Sequence, residues 1–336
     1  MRAALKTAHG VMAPAEVAVP VPGGDELLVR VEAAGICGSD RHMFLGEYPT
    51  AVPVIQGHEF SGIVVGRGPE AGRVPLGERI TGDPNIACGH CPGCLSGRVN
   101  LCDNLQAIGV TRDGGFAEFV IVPEGQAYVL PAELDPLHGS FCEPVACCLH
   151  GIDVARILPG QSVAVLGGGV IGLIMVQLAK LAGAGTVVLS TRQEPRRRIA
   201  SMLGADATVD PGAGDAVKAI REIVPGGVDV VLECAGVAET VSQSPRVARR
   251  GGTVVVFGVM PKGEAVPMMP FDLLTNEIRL EGAYLNPHTH GRAAELIASG
   301  KLKLDPMITR TIALEEVPGV IAAPPGFGDV KIIAVP

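Results

Sequence analysis

The sequence predicts an α/β protein in which a mostly-β region precedes a doubly wound parallel sheet. Short alternating segments such as ELLVRVEAAG and FAEFVIVPEGQAYVLP, separated by Gly, Pro and Asp, are typical of small all-β units. From about residue 160, apolar strands alternate with helix-length segments. That alternation indicates a parallel sheet covered by helices on both faces.

The individual elements follow from the same alternation. SVAVLGGGVIGLIMVQLAKLAG predicts a strand, a Gly-rich turn and a helix, and TVVLS with PRRRIASMLGA repeats the strand and helix. VDVVLECAG and GTVVVFGV predict two further strands. THGRAAELIASG predicts a late helix, and KIIAVP a last strand. We expect junctions between domains near residues 144–158 and near Leu285.

Composition limits the possible functions. A chain of 336 residues with 47% apolar residues can bury two cores, so we expect two domains. A net charge of −8 without a basic block argues against a nucleic-acid partner. MRAALKTAHG lacks an apolar segment of signal-peptide length, and nine cysteines favour metal ligation and free thiols over disulfides. We therefore expect a soluble, cytoplasmic protein.

A glycine motif predicts a dinucleotide site. Gly167, Gly169 and Gly172 form G-x-G-x-x-G directly after the apolar strand 162–166, where a helix begins. Such a turn lets the backbone approach a pyrophosphate at the positive end of a helix. The alternative is a Gly-rich turn that only packs the helix on the strand.

The end of the next strand indicates which dinucleotide binds. An acid there would bind the ribose of NAD, but the chain has Ser190 followed by Thr191 and Arg192, with Arg196 close behind. A guanidinium can hold a 2′-phosphate, which a carboxylate would repel. We therefore predict NADP, bound by Thr191, Arg192 and Arg196. The alternative is a helix start with solvated arginines.

Two constellations predict metal sites. Cys88, Cys91, Cys94 and Cys102 can close a tetrahedral zinc shell, although an iron–sulfur cluster or a redox dithiol remain alternatives. The segments GICGSDRH, GHE and CEP carry a second set of dispersed donors. One Cys, one His and one or two carboxylates make an open site of the catalytic kind. Spacing alone does not join them, and each residue also has a purely structural interpretation.

The order of these motifs resembles the zinc-dependent medium-chain dehydrogenases over essentially the whole chain, and is closest to their polyol and threonine dehydrogenase branch. The resemblance implies a GroES-like catalytic domain at 1–150 with a structural zinc lobe at about 85–105. It implies a Rossmann domain at 151–285 and a return of 286–336 to the catalytic domain. A homodimer or homotetramer is also implied.

The resemblance also assigns roles to residues. It implies one catalytic zinc, one structural zinc held by the four cysteines, and a Ser39–His42 proton relay. The implied ligands of the catalytic zinc are Cys37, His58 and Glu59, with Glu143 ligating it or holding its water. Further residues are expected at the cofactor in the Gly-rich turn and after later strands, namely Val170, Ile171, Cys234, Gly258 and Leu285.

The implied reaction is reversible hydride transfer between a secondary alcohol and NAD(P), in which zinc lowers the pKa of the alcohol. Leu285, Asn286 and Met43 replace the Arg-Tyr pair and the aromatic of the sorbitol-type pattern, so sorbitol itself is in doubt. His288 and His290, just after the last sheet strand, are expected at the surface, with a position lining the cleft as the alternative. The alternatives are a zinc-free quinone or enoyl reductase and a non-enzymatic zinc module.

Overall fold

A computed structural model describes all 336 residues and divides into two compact units. The split unit comprises Met1–Ala146 and Asn286–Pro336, and the central unit comprises Cys147–Leu285. The functional domain bounds of 1–150, 151–285 and 286–336 stay a prediction. No helix combines the length and the apolar character that crossing a bilayer requires.

The N-terminal part of the chain is mostly β, as its alternating pattern predicts. Its strands are β1 (Arg2–Ala8), β2 (Val11–Glu16), β3 (Glu26–Ile36), β4 (Val54–Ile55), β5 (Glu59–Arg67), β6 (Arg79–Gly82), β7 (Asn85–Ile86), β8 (Gln106–Ala107), β9 (Phe119–Pro123) and β10 (Ala127–Val129). Its helices are α1 (Gly38–Leu45), α2 (Pro92–Leu95), α3 (Pro136–Gly139) and α4 (Cys142–Ala155).

The central unit alternates strands and helices. Its strands are β11 (Ser162–Leu166), β12 (Thr186–Ser190), β13 (Ala207–Val209), β14 (Val228–Glu233), β15 (Ala248–Val256) and β16 (Arg279–Gly282). Its helices are α5 (Val170–Leu181), α6 (Glu194–Met202), α7 (Ala216–Ile223), α8 (Ala238–Val247) and α9 (Pro270–Thr275). All pairings are parallel, in the order β13-β12-β11-β14-β15-β16. The predicted parallel sheet is confirmed, and its order is that of a dinucleotide-binding fold.

The C-terminal segment returns to the split unit. It adds α10 (His290–Ala298), β17 (Ile308–Ala313), α11 (Val317–Ala322) and β18 (Lys331–Val335). β18 pairs with β3 and β17, so the last strand lies inside a sheet of order β10-β6-β5-β3-β18-β17, in which β9 also pairs with β3. The predicted late helix and last strand are confirmed.

The pairing of β3 with β5 places the metal-ligating residues of the two predicted motifs at the same end of the sheet. The strands are antiparallel, and Gly35 lies opposite Glu59. The chain therefore leaves β3 at Cys37 beside the point where it enters β5 after His58. Two motifs that are about twenty residues apart in the sequence thus become neighbours through the sheet register alone.

Candidate metal and cofactor sites

Three of the residues predicted at the catalytic metal come together in the split unit. One ligand atom each of Cys37, His58 and Glu59 lies within 4.8 Å of the others. His58 is 7% exposed and Glu59 is fully buried. A thiol, an imidazole and a carboxylate in this arrangement form the mixed donor set of an open, catalytic zinc site.

The residues present fit a dication. Oε1 of Glu59 is buried and accepts no hydrogen bond. A buried carboxylate oxygen without a partner is costly, and a cation is its natural complement. His58 offers its Nε2 side towards Ser39, whose Oγ lies 3.3 Å away. Zinc is therefore chemically compatible with this group.

Asp40 orients His58 and is a functional residue that sequence reasoning did not assign. Its Oδ1 lies 3.3 Å from Nδ1 of His58, and its Oδ2 accepts the Cys37 N–H at 2.8 Å. Burial alone lowers the pKa of His58, but Asp40 and Cys37 outweigh it and raise that pKa well above its ordinary value. Asp40 thereby directs Nδ1 away from the metal group and leaves Nε2 for ligation. In the sequence, Asp40 is the final residue of the CGSD segment, three positions after Cys37, and that spacing was the signal that could have identified it.

The two residues of the predicted proton relay, Ser39 and His42, are both partly buried. Ser39 contacts His58 as described, and His42 lies three residues further along α1. Nδ1 of His42 lies 2.7 Å from Oε2 of Glu47, and both side chains are partly exposed. His42 is therefore held at the protein surface by an acid that sequence analysis did not assign.

Glu143 is buried, with 7% exposure, in the first turn of α4. Its carboxylate does not belong to the group of mutually close ligand atoms formed by Cys37, His58 and Glu59. The structure thus brings together three of the four residues predicted at this metal. A role of Glu143 as a ligand or as a holder of water stays a prediction.

The four-cysteine segment forms the second metal-competent group. All four Sγ atoms lie within 4.8 Å of one another, with 3.5 Å between Cys91 and Cys94 and 4.0 Å between Cys88 and Cys94. The His90 N–H lowers the pKa of Cys88 to about 6, whereas burial raises the pKa of Cys94 to about 12. Four thiols at such distances suit a closed tetrahedral zinc shell, which leaves no position for a substrate.

The glycine motif forms the turn between β11 and α5. Gly167 has a φ of 113°, a conformation that favours glycine, and Gly169 precedes α5, which begins at Val170. A Cβ at Gly172 would collide with the backbone oxygen of Gly167. The third glycine therefore allows close packing of helix and turn. The first turn of α5, which includes Ile171, has N–H groups without intrahelical partners, and its role at the pyrophosphate stays a prediction.

The residues predicted at the 2′-phosphate follow β12. Thr191 is 8% exposed, Arg192 is exposed and Arg196 is partly buried. Arg197 donates hydrogen bonds of 2.7 and 2.9 Å to the backbone oxygens of Thr191 and Arg192 and pairs with Asp210 at 3.0 Å. Arg197 therefore holds the backbone of the loop that follows β12, and the role of Thr191, Arg192 and Arg196 at a 2′-phosphate stays a prediction.

The other residues predicted at the cofactor lie after later strands of the central unit. Cys234 follows β14, Gly258 follows β15, and Leu285 has a φ of 58° at the end of the unit. Burial, aided by the charge of Glu233, raises the pKa of the Cys234 thiol well above its ordinary value, although the residue is partly exposed. Carboxyl ends of parallel strands are where ligands bind in such sheets.

The prediction that His290 lies at the surface is wrong. His290 is fully buried, with Nε2 3.3 Å from Oγ1 of Thr81 and Nδ1 3.4 Å from the amide of Asn286. Asn286 in turn donates to Asp83 at 3.1 Å. This network holds the polar side chain of Asn286 inside the split unit, whereas His288 is exposed as predicted.

Comparison with known proteins agrees with both units. A family model described as an alcohol dehydrogenase GroES-like domain matches residues 23–132, and one described as a zinc-binding dehydrogenase matches residues 170–299. The D-arabitol-phosphate dehydrogenase of Enterococcus avium is 34% identical over 94% of this chain and 92% of that protein. The L-threonine 3-dehydrogenase of Bacillus subtilis is also 34% identical, over 93% of this chain and 92% of that protein.

A solved structure is similar over the full length. It is a zinc-binding dehydrogenase from Sinorhizobium meliloti 1021 bound to NADP, with 57% identity, a TM-score of 0.99, and coverage of 100% of this chain and 99% of that chain. The chain therefore belongs to the zinc-dependent medium-chain dehydrogenase family, in its polyol and threonine dehydrogenase branch. It is an alcohol dehydrogenase that uses zinc and a nicotinamide cofactor.

Proposed function

We propose that the protein oxidises a secondary alcohol, of the polyol, sugar-like or amino-alcohol class, to a ketone with NADP as the preferred oxidant. The observation that carries this proposal is the convergence of Cys37, His58 and Glu59 on one buried point. Relatives named for D-arabitol phosphate and L-threonine support the substrate class, since both substrates present a secondary alcohol.

The side chains of the split unit suit proton removal. When zinc is bound by Cys37, His58 and Glu59, it supplies a Lewis acid for the substrate oxygen. Ser39 Oγ, beside His58, accepts the proton of the substrate hydroxyl as its own proton passes on to His42, which releases a proton to solvent. The carboxylate of Glu47 holds Nδ1 of His42, so that Nε2 is the nitrogen that exchanges the proton.

A substrate and cofactor screen tests the proposed reaction. Initial rates are measured with polyols, sugar alcohols, amino alcohols and simple secondary alcohols, each with NADP and with NAD. We expect turnover of at least one secondary alcohol, loss of activity after zinc removal, and recovery when zinc is restored. Full activity in zinc-free protein contradicts the proposal, because no residue of the group replaces a Lewis acid.

The cofactor preference is tested at the arginines after β12. Removing one charged hydrogen bond weakens binding by about 1.5–3 kcal/mol, so Arg192→Ala should lower kcat/KM with NADP about 10–100-fold. The value with NAD should change by less than about threefold, since NAD has no 2′-phosphate. Arg198→Ala is the matched control, because Arg198 is exposed and pairs with Glu194. Equal losses with both cofactors, or a tenfold preference of the parent for NAD, refute the assignment.

We also propose a cytoplasmic homodimer or homotetramer. None of the nine cysteines forms a disulfide, which supports a reducing compartment. β16, an edge strand of the central sheet, is exposed along its length, and the neighbouring Phe271 and Leu274 are 72% and 76% exposed. An exposed edge beside large apolar side chains suits a contact between copies. A monomeric mass in light scattering rejects the oligomer.

A further inference from the structure

A fully buried lysine contacts the proposed metal ligands. Lys331, the first residue of β18, has no exposed surface, and its Nζ pairs with Oε2 of Glu59. The same Nζ donates a hydrogen bond of 3.5 Å to the backbone oxygen of Ile36 and lies 5.7 Å from the ring centre of Phe141. Burying an ammonium group is unfavourable unless it is paired, and the carboxylate of Glu59 supplies that pairing here.

The ion pair of Lys331 and Glu59 fits into the sheet because Gly35, which lies beside it, has no side chain. β18 and β5 flank β3, and Gly35 lies opposite Glu59 on one side and Ile333 on the other. A Cβ at Gly35 would come within 2.5 Å of Glu59 Oε2 and 2.7 Å of Lys331 Nζ. The glycine in GICGSD therefore admits the ion pair between the strands, directly before the metal motif.

The pairing makes the two oxygens of Glu59 unequal. Oε2 is held by Lys331, whereas Oε1 is buried without a hydrogen-bond partner. We propose that Lys331 is a positioning residue that holds Oε2, leaves Oε1 to the metal, and acts as the counter-charge of Glu59 when the metal is absent. This inference rests on the proposed assignment of Cys37, His58 and Glu59 as ligands.

The sign of the effect on metal affinity follows from charge. Lys331 and a dication share the same carboxylate and repel each other, so the lysine weakens metal binding. Its removal also frees one torsion of Glu59, but that side chain is fully buried and remains packed. Without Lys331, only the metal can neutralise Glu59, so the metal-free protein loses more stability than the metal-bound protein.

Lys331→Met tests the inference through metal release rather than activity. The zinc-loaded protein is mixed with excess chelator, and the released zinc is followed with a chromogenic dye. The release phase that Cys37→Ser eliminates belongs to the catalytic site, and the remaining phase belongs to the four-cysteine site. Because the repulsion between Lys331 and the metal is then gone, we expect Lys331→Met to slow the first phase at least about tenfold and to lower the melting temperature of the chelator-treated protein.

Two further variants make the result specific. Lys6→Met is the matched control, because Lys6 is equally buried in the split unit but its Nζ has no hydrogen-bond partner. Lys331→Arg keeps the charge and should retain the parental release rate. An unchanged or faster first phase in Lys331→Met, or the same slowing in Lys6→Met, overturns the inference. A parent that binds only one zinc, with no phase eliminated by Cys37→Ser, instead overturns the ligand assignment and with it this role of Lys331.

Discussion

A Cys37→Ser variant is expected to lose at least about a thousandfold in kcat/KM, because a Lewis acid contributes several kcal/mol to the transition state. Cys37 supplies the only thiol of the group, and a serine hydroxyl is a poor zinc ligand at neutral pH. The glycine turn of the central unit does not involve Cys37, so the variant should still bind NADPH. Nicotinamide fluorescence measures that binding, and metal analysis should find one zinc in place of two.

The control for this variant is another thiol of the same chain. Cys147 is buried in α4 and belongs to neither group of ligand atoms, so Cys147→Ala should retain both zinc ions and most of the activity. Cys37→Ser with unchanged turnover would mean that the chemistry occurs elsewhere. Loss of NADPH binding together with turnover would instead indicate a general folding defect.

The parts of the fold that were predictable are those with a strong local pattern. The parallel strands are buried on both faces, so β11 and β12 appear as continuous apolar runs and were predicted at their actual bounds. The glycine turn follows one of these apolar strands and precedes a helix. The strands and the turn are each specified by a few consecutive residues, so the sequence alone was enough to predict them.

The metal group depends on pairing that a single sequence does not contain. Cys37 and His58 become neighbours only because β3 and β5 pair in one register. From the sequence, only the order of all the motifs taken together could suggest that these two residues share a site. Lys331 is separated from Glu59 by 272 positions, and a lysine at the start of an apolar strand is usually solvated. His290 was misplaced for a similar reason, since its partners Thr81 and Asn286 become neighbours only when the C-terminal segment returns.

Cys94→Ser is the counterpart of Cys37→Ser and should affect stability before chemistry. The four-cysteine loop has no apolar core of its own: α2 buries no residue, and Leu95 and Leu101 are 76% and 50% exposed. The shape of the loop must therefore come from the metal, whose binding energy is folding energy in such segments. We expect one zinc per chain and a melting temperature lower by at least about 5 °C.

The two cysteine variants together separate the roles of the two sites. Protein of Cys94→Ser that remains folded at low temperature should keep most of its kcat, because four thiolates leave no position for an alcohol at that metal. Its activity should disappear with the fold when the temperature is raised, whereas Cys37→Ser should be inactive at temperatures where it is fully folded. Activity and circular dichroism, measured against temperature on the same samples, distinguish loss of the chemical step from loss of the fold. If Cys94→Ser were as stable as the parent but inactive, the structural and catalytic assignments would have to be exchanged.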